Sequence, residues 1–285
     1  MASIIPANLT PITHTTTTGP IVRIAPNLYC ISDPSATRII YGQGFKYLKS
    51  EWYDAWNFDS DLSLTNPFSE RSSKKNSEDR KKVTSLLAYE PFVDNCIDIF
   101  KQRLAEFATR GQLIDMSHWL QCYAFDVIGQ ITFGDRFRLL DAGKDVGNMI
   151  ELLDGSFTIC SYLGLYAWLY PMFMKVGKYL DIEQSFSTIF SRRRIQRAKI
   201  TMKNHHADLP TYMTMKVVLA QAQNPGKLSD HDILATAASN IGAASDTTGI
   251  SLSSILYHLL HAPACMERLR EEINSSGING NPTFK

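Results

Sequence analysis

One stretch, residues 229–261, restricts the possible folds of this chain more than any other. Ser229-Asp230-His231-Asp232 has the Ser-x-x-Asp form, in which a hydroxyl and a carboxylate satisfy the free N–H groups at a helix start. Pro263 closes the stretch. A helix between those signals is roughly 50 Å long at about 1.5 Å per residue, enough to cross a whole domain with its centre buried. The rest of the pattern is helical as well. Residues 83–107 carry Leu86, Leu87, Phe92, Val93, Ile97, Phe100 and Leu104 at three- and four-residue steps. Residues 116–133 and 146–153 read as helices, and 182–203 as a basic amphipathic one. Strand signals are confined to the start of the chain. Ile21-Val22-Arg23-Ile24 and Leu28-Tyr29-Cys30-Ile31, on either side of Pro26-Asn27, predict a hairpin. A short helix over residues 34–41 follows, capped by Ser32 or Asp33. Residues 1–18, rich in Thr with little to bury, are expected to be disordered. The predicted fold class is therefore mainly α with a small N-terminal β-hairpin.

Charge excludes one class of partner. Lys plus Arg is 29 against 28 for Asp plus Glu, so the net charge is +1 and no global attraction to nucleic acid follows. The five cysteines (Cys30, Cys96, Cys122, Cys160, Cys265) are scattered, with neither Cys-x-x-Cys nor disulfide spacing. That pattern fits a reducing compartment and offers no metal cluster. The first residues have no basic segment followed by an apolar run, so neither a signal peptide nor an anchor is expected there, and the expected location is intracellular.

Midway along the long helix the chain reads Ile241-Gly242-Ala243-Ala244-Ser245-Asp246-Thr247-Thr248. Small residues let another group approach the backbone closely. A carboxylate and two hydroxyls follow, and Thr247 can donate to the carbonyl four residues earlier. On these residues alone two readings stand: a tight helix–helix contact with a satisfied polar pair, or a site that uses a partly buried acid. Both readings place Asp246 and Thr247 on the interior side.

Ala243-Ala244-Ser245-Asp246-Thr247-Thr248 resembles the oxygen-binding motif of the cytochrome P-450 central helix, (Ala/Gly)-Gly-x-(Asp/Glu)-Thr-(Thr/Ser). Other segments resemble that family, and its fungal members, in the same order. They are Gly19-Pro20-Ile21-Val22-Arg23-Ile24, Phe125-Asp126-Val127-Ile128-Gly129 with Thr132-Phe133-Gly134, and His261-Ala262-Pro263 with Leu269-Arg270-Glu271-Glu272. The resemblance implies an incomplete P-450 fold over residues 19–285 and a haem-dependent monooxygenase acting on a small apolar substrate, in the setting of fungal secondary metabolism. Asp246 and Thr247 would then organise proton delivery, and Ala243 and Ala244 would face the haem. Ala244 stands where the family has Gly, so its methyl is expected to narrow the oxygen groove.

Asn76-Ser77-Glu78-Asp79-Arg80 is similar to the family's (Trp/His)-x-x-x-Arg, which implies that Arg80 pairs with a haem propionate. The rival reading is a solvated Arg in a charged run. The resemblance also implies a reductase partner and an endoplasmic reticulum surface. No cysteine has the Phe-x-x-Gly-x-Arg-x-Cys-x-Gly surroundings of the family's iron ligand. The expectation is thus a truncated chain without the axial Cys, and the alternative is a non-catalytic remnant or binding protein. Residues 157–176 are aromatic and apolar, interrupted by Gly164 and Pro171. Pocket roof or core is the favoured reading there, with membrane-surface contact as the alternative. The run Arg192-Arg193-Arg194 with Arg197, Lys199 and Lys203 reads as a solvated face or an anionic-lipid contact.

Overall fold

A computed structural model describes residues 19–25, 28–41, 49–56, 86–179, 186–204, 209–224, 226, 228–277 and 280. The expected disorder of 1–18, the hairpin's Pro26-Asn27 turn and Arg80 lie outside the described residues. The chain divides into two compact units, residues 1–49 with 71–77, and 50–70 with 78–285.

In the first unit β1 (Ile21–Ala25) pairs antiparallel with β2 (Leu28–Ile31). Ile21 lies opposite Ile31 and Val22 opposite Cys30, with an irregularity between Arg23 and Ala25. Helix α1 (Pro34–Tyr41) follows. Of the two candidate caps, Asp33 does the work: its Oδ1 accepts the Ser35 N–H at 2.8 Å. Those Ser35 hydrogen bonds hold the Asp33 carboxyl below its ordinary range.

The second unit is helical. Its first long helix, α2 (Glu90–Arg110), starts later than the apolar periodicity predicts. Pro91 occupies the first turn, where its missing N–H is harmless, and Leu86–Tyr89 forms a 3-10 turn ahead of it. Helix α3 (Met116–Phe133) keeps the predicted bounds. Asp115 caps it by accepting from Ser117 and His118 N–H, and Gly134 ends it at φ 71°.

Helix α3 runs through the core, with Trp119, Leu120, Cys122, Ala124, Phe125, Asp126, Ile128 and Gly129 among its buried residues. Buried Asp126 accepts the N–H groups of Leu139 (3.2 Å) and Leu140 (3.1 Å), which open the single-turn helix α4 (Leu139–Ala142). Arg136 adds a 3.4 Å contact to Asp126 and bridges to Asp141 at 3.0 Å. Burial still pushes the Asp126 carboxyl above its ordinary range against these bonds.

Helix α5 (Met149–Leu165) begins three residues later than predicted and runs twelve residues further. Gly147 (φ 76°) and Asn148 (φ 56°) are left-handed and delay the start, and Asp145 Oδ2 caps Ile150 and Glu151. A 3-10 turn, Ala167–Leu169, leads to α6 (Tyr170–Tyr179). Helices α7 (Phe186–Asn204), α8 (Met213–Gln223), α9 (Asp230–His261) and α10 (Pro263–Ser275) complete the unit. The most extensive contact between elements joins α9 to α3, and α7 also packs on α9. Phe125, Leu139, Leu140, Met215, Val218, Ile233 and Ile241 form the fully buried centre.

The expectation that residues 157–176 make a roof or core fails for one face. Cys160, Gly164 and Tyr170 are buried, but Tyr162, Leu165, Tyr166, Met172, Phe173 and Val176 are exposed, and Trp168 is 77% exposed. The cause is one-sided packing. The 3-10 turn Glu51–Trp56 lies on α5, where a Cβ on Gly164 would collide with the Trp52 ring, and among the described residues nothing covers the opposite face. No helix of the described residues is long and apolar enough to cross a membrane.

Candidate active site

Helix α9 carries the candidate site. Ser229 Oγ accepts the Asp232 N–H at 3.1 Å, while Asp232 Oδ2 accepts the Ser229 N–H at 2.8 Å, completing the expected reciprocal cap. Two glycines set how closely the helix is approached. Gly242 faces Leu153 and Phe157 of α5, and Gly249 meets Gln121 of α3, whose Cα would lie 3.1 Å from an added Cβ.

Between those glycines three successive residues differ in exposure. Ser245 is fully buried and its Oγ donates to Ile241 O. Asp246 is half-buried. Burial first, and the charge of Asp154 on α5 second, raise its carboxyl above the ordinary range. Thr247 is exposed, contrary to the interior placement expected for it, and its Oγ1 donates to Ala243 O as the spacing predicts. The reason is geometric. Ile241, Gly242, Ser245 and Gly249 already occupy the arc that meets the packed helices, and Thr247 falls outside that arc.

Ala243 is exposed one turn before Thr247, on the same side of the helix. Ala244 is only partly exposed and packs against the core cluster, so its methyl does not share that open side. Further along, Ile250, Ile255, Tyr257 and Leu260 are exposed too. The open face thus offers a methyl, a hydroxyl tied to the helix backbone, and apolar side chains beyond them.

Asp154 is the site neighbour that sequence reasoning missed. Its charge acts on Asp246 from α5, whose Leu153 and Phe157 side chains face Gly242 of α9, and no local spacing signals that.

Burial pushes the Cys96, Cys122 and Cys160 thiols up to about 12, Cys30 lies in β2, and Cys265 is exposed on α10. Among the described residues no three His, Cys, Asp or Glu side chains could hold a metal ion.

The chain matches the family model described as cytochrome P450 over residues 14–283. This chain belongs to the cytochrome P450 family. It is 30% identical over 281 residues to a cytochrome P450 monooxygenase of Aspergillus terreus, covering 92% of this chain and 56% of that protein. It is 31% identical over 266 residues to a pisatin demethylase of Fusarium vanettenii, covering 90% of this chain and 52% of that one. A benzoate 4-monooxygenase of Aspergillus niger is 26% identical over 296 residues, covering 90% of this chain and 55% of that relative. The chain therefore spans about half the length of the curated relatives it matches.

Haem is the cofactor expected of a P450, and the described residues fit one side of it. The open side of α9 at Ala243 and Thr247 carries only small side chains, which a flat macrocycle can approach closely.

Proposed function

We propose that this chain forms the oxygen-side half of a P450 monooxygenase that oxidises a small apolar substrate, in the setting of fungal secondary metabolism. The observation that carries the reading is the open side of α9, where Ala243 and Thr247 stand exposed one turn apart beside half-buried Asp246. Haem held by a cysteine thiolate would supply the oxidising chemistry there. Ala243, with Ala244 behind it, leaves room for the macrocycle, and Arg80 would hold a propionate. Thr247 keeps its hydroxyl at a fixed height by donating to Ala243 O, and its oxygen remains free to accept from a water. Asp246 is the acid that reloads that water with a proton. Its raised carboxyl suits it to proton exchange nearer neutrality. Residues 19–285 are taken as one partial P450 domain.

The family's electron supply implies a reductase partner. The exposed aromatic face around Trp168, with Arg192, Arg193 and Arg197 exposed on α7, fits contact with an anionic membrane surface such as that of the endoplasmic reticulum.

A second reading, a binding protein or remnant without haem chemistry, is favoured by the burial of Cys96, Cys122 and Cys160, which pushes their thiols up to about 12. The deciding experiment has two parts. The gene is read beyond Lys285 for a Phe-x-x-Gly-x-Arg-x-Cys-x-Gly loop, and the protein is reduced with carbon monoxide in the presence of haem. A loop, together with a red-shifted Soret band that appears only when the loop is included, supports the monooxygenase. Absence of the loop and of the band supports the remnant. In the loop-containing protein, Thr247→Ala should divert reducing equivalents from product to peroxide. Unchanged coupling would remove Thr247 from the proposed role.

A further inference from the structure

A cavity of about 400 Å³ is lined by no residue of α9. Its wall comes from the loop after α3 (Asp135, Arg136, Phe137, Arg138), from Val146 and Met149 at the start of α5, and from Phe190 and Arg194 of α7. Phe137 and Met149 are buried, and the Phe137 and Phe190 rings pack with centroids 4.8 Å apart, so the floor is apolar and aromatic. Three guanidinium groups stand around it. Two are committed: Arg136 to Asp126 and Asp141, and Arg194 to Asp135 while lying 5.1 Å over the Phe190 ring. The Arg138 guanidinium is exposed and makes no ion pair among the described residues.

The backbone supplies an independent observation. Arg138 (φ 67°) and Asn148 (φ 56°) are the only non-glycine residues of the described chain in the left-handed region. Arg138 lines this cavity, and Asn148 immediately precedes the lining residue Met149. The left-handed region is unfavourable for an Arg and persists where the surrounding structure fixes it. At Arg138 its origin is visible. The N–H groups of Arg138, Leu139 and Leu140 converge on Asp126, and the turn this requires projects Arg138 outward to the rim.

We propose that this cavity binds a small aromatic or alicyclic anion, its ring on Phe137, Phe190 and Met149 and its carboxylate or sulfonate on Arg138, with Arg194 as the second donor. A volume of this size accommodates a one- or two-ring molecule. Carboxylates and sulfonates are the anions that a guanidinium fork engages with two parallel N–H bonds. Asp135 is the resident counter-ion of Arg194, and its side chain is 45% exposed, so an incoming anion can displace it into solvent. The proposal is independent of haem chemistry and stands or falls without it.

The test titrates the chain with 2-naphthoate and with its uncharged counterpart 2-naphthamide, by calorimetry and by the methyl resonances of 13C-methyl methionine. The expected result is a shift of the Met149 methyl with the acid, and binding about tenfold or more weaker for the amide. Arg138→Gln should weaken the acid by a similar factor. Val146→Glu, a substitution at an exposed rim position that leaves Arg138 and its backbone intact, should do the same. Asp135→Asn should tighten binding severalfold by freeing Arg194. Equal affinity for acid and amide, indifference to Arg138→Gln and Val146→Glu, an unmoved Met149 methyl, or no binding of either compound at millimolar concentration would each overturn the proposal.

Discussion

The two buried glycines of α9 permit a matched test of how the candidate site is positioned. Replacing either with Ala removes a poor helix former from a helix interior, which is worth about 1 kcal/mol in favour of the variant. At Gly242 nothing opposes that gain. The new Cβ lies 3.7 Å from Leu153 Cδ1 and from Phe157 Cζ, an ordinary contact with the ends of flexible side chains. At Gly249 the new Cβ lies 3.1 Å from Gln121 Cα and 3.4 Å from Gln121 Cβ, and a backbone atom cannot move without the helix. Helix α3 is fixed by its own buried residues, Cys122, Ala124 and Phe125 among them, so it cannot slide a few tenths of an ångström at no cost. Overpacking of this kind costs about 1–3 kcal/mol. Set against the propensity gain, Gly249→Ala is expected to be between neutral and about 2 kcal/mol destabilised, and Gly242→Ala about 1 kcal/mol stabilised. Urea unfolding followed by far-ultraviolet circular dichroism reads both, with equal slopes required for comparison. A Gly249→Ala protein as stable as Gly242→Ala would refute the reasoning that backbone contact at Gly249 sets the α9–α3 distance.

Two further expectations follow from buried or half-buried acids. Asp126→Ala leaves the Leu139 and Leu140 N–H groups without their acceptor, while Arg136 keeps Asp141. A loss of about 3 kcal/mol is expected, with faster amide exchange at Leu139 and Leu140, and unchanged exchange there would sink the capping role. At Asp246 the folded carboxyl is raised above 3.8, so between that value and its folded pKa the native state binds more protons than the unfolded chain. The contribution of Asp246 is therefore fully present below 3.8 and is lost as pH rises through the folded value. Asp246→Asn should abolish that loss, and Asp154→Asn should bring the Asp246 carboxyl titration, followed by 13C resonance, down toward the ordinary range. A titration unmoved by Asp154→Asn would show that burial alone raises it.

Much of the fold was legible because its signals are local. The Ser229–Asp232 cap, Pro263, the 116–133 helix and the Pro34 helix start each depend on residues within a few positions of one another. The misplaced boundaries share one cause. At Glu90 and Met149 the apolar periodicity continues back past the true start, and what stops the helix is a backbone feature, Pro91 in one case and the left-handed Gly147 and Asn148 in the other. Exposure was the hardest property to read. An aromatic run such as 157–176 has the composition of a core whether or not a partner element covers it, and here Cys160, Gly164 and Tyr170 are covered while Tyr162, Trp168 and Phe173 are not.

The same distinction governs the site. The identities of Ala243, Asp246 and Thr247 and their spacing on one helix follow from sequence, because a helix converts spacing into direction. Which of those directions is inward depends on what packs against α9. Helices α3 and α7 pack on α9, the Leu153 and Phe157 side chains of α5 face Gly242, and Ile241, Gly242, Ser245 and Gly249 are buried, so Ala243 and Thr247 are left on the uncovered side. That side continues into the exposed Ile250 and Tyr257, apolar surface beside the site. The relatives are nearly twice as long as the portion matched here. A face of this composition beside the proposed proton-delivery residues is where further polypeptide, haem and substrate would be accommodated. The exposure that contradicts the simplest sequence expectation for Thr247 is therefore the geometry that its proposed role requires.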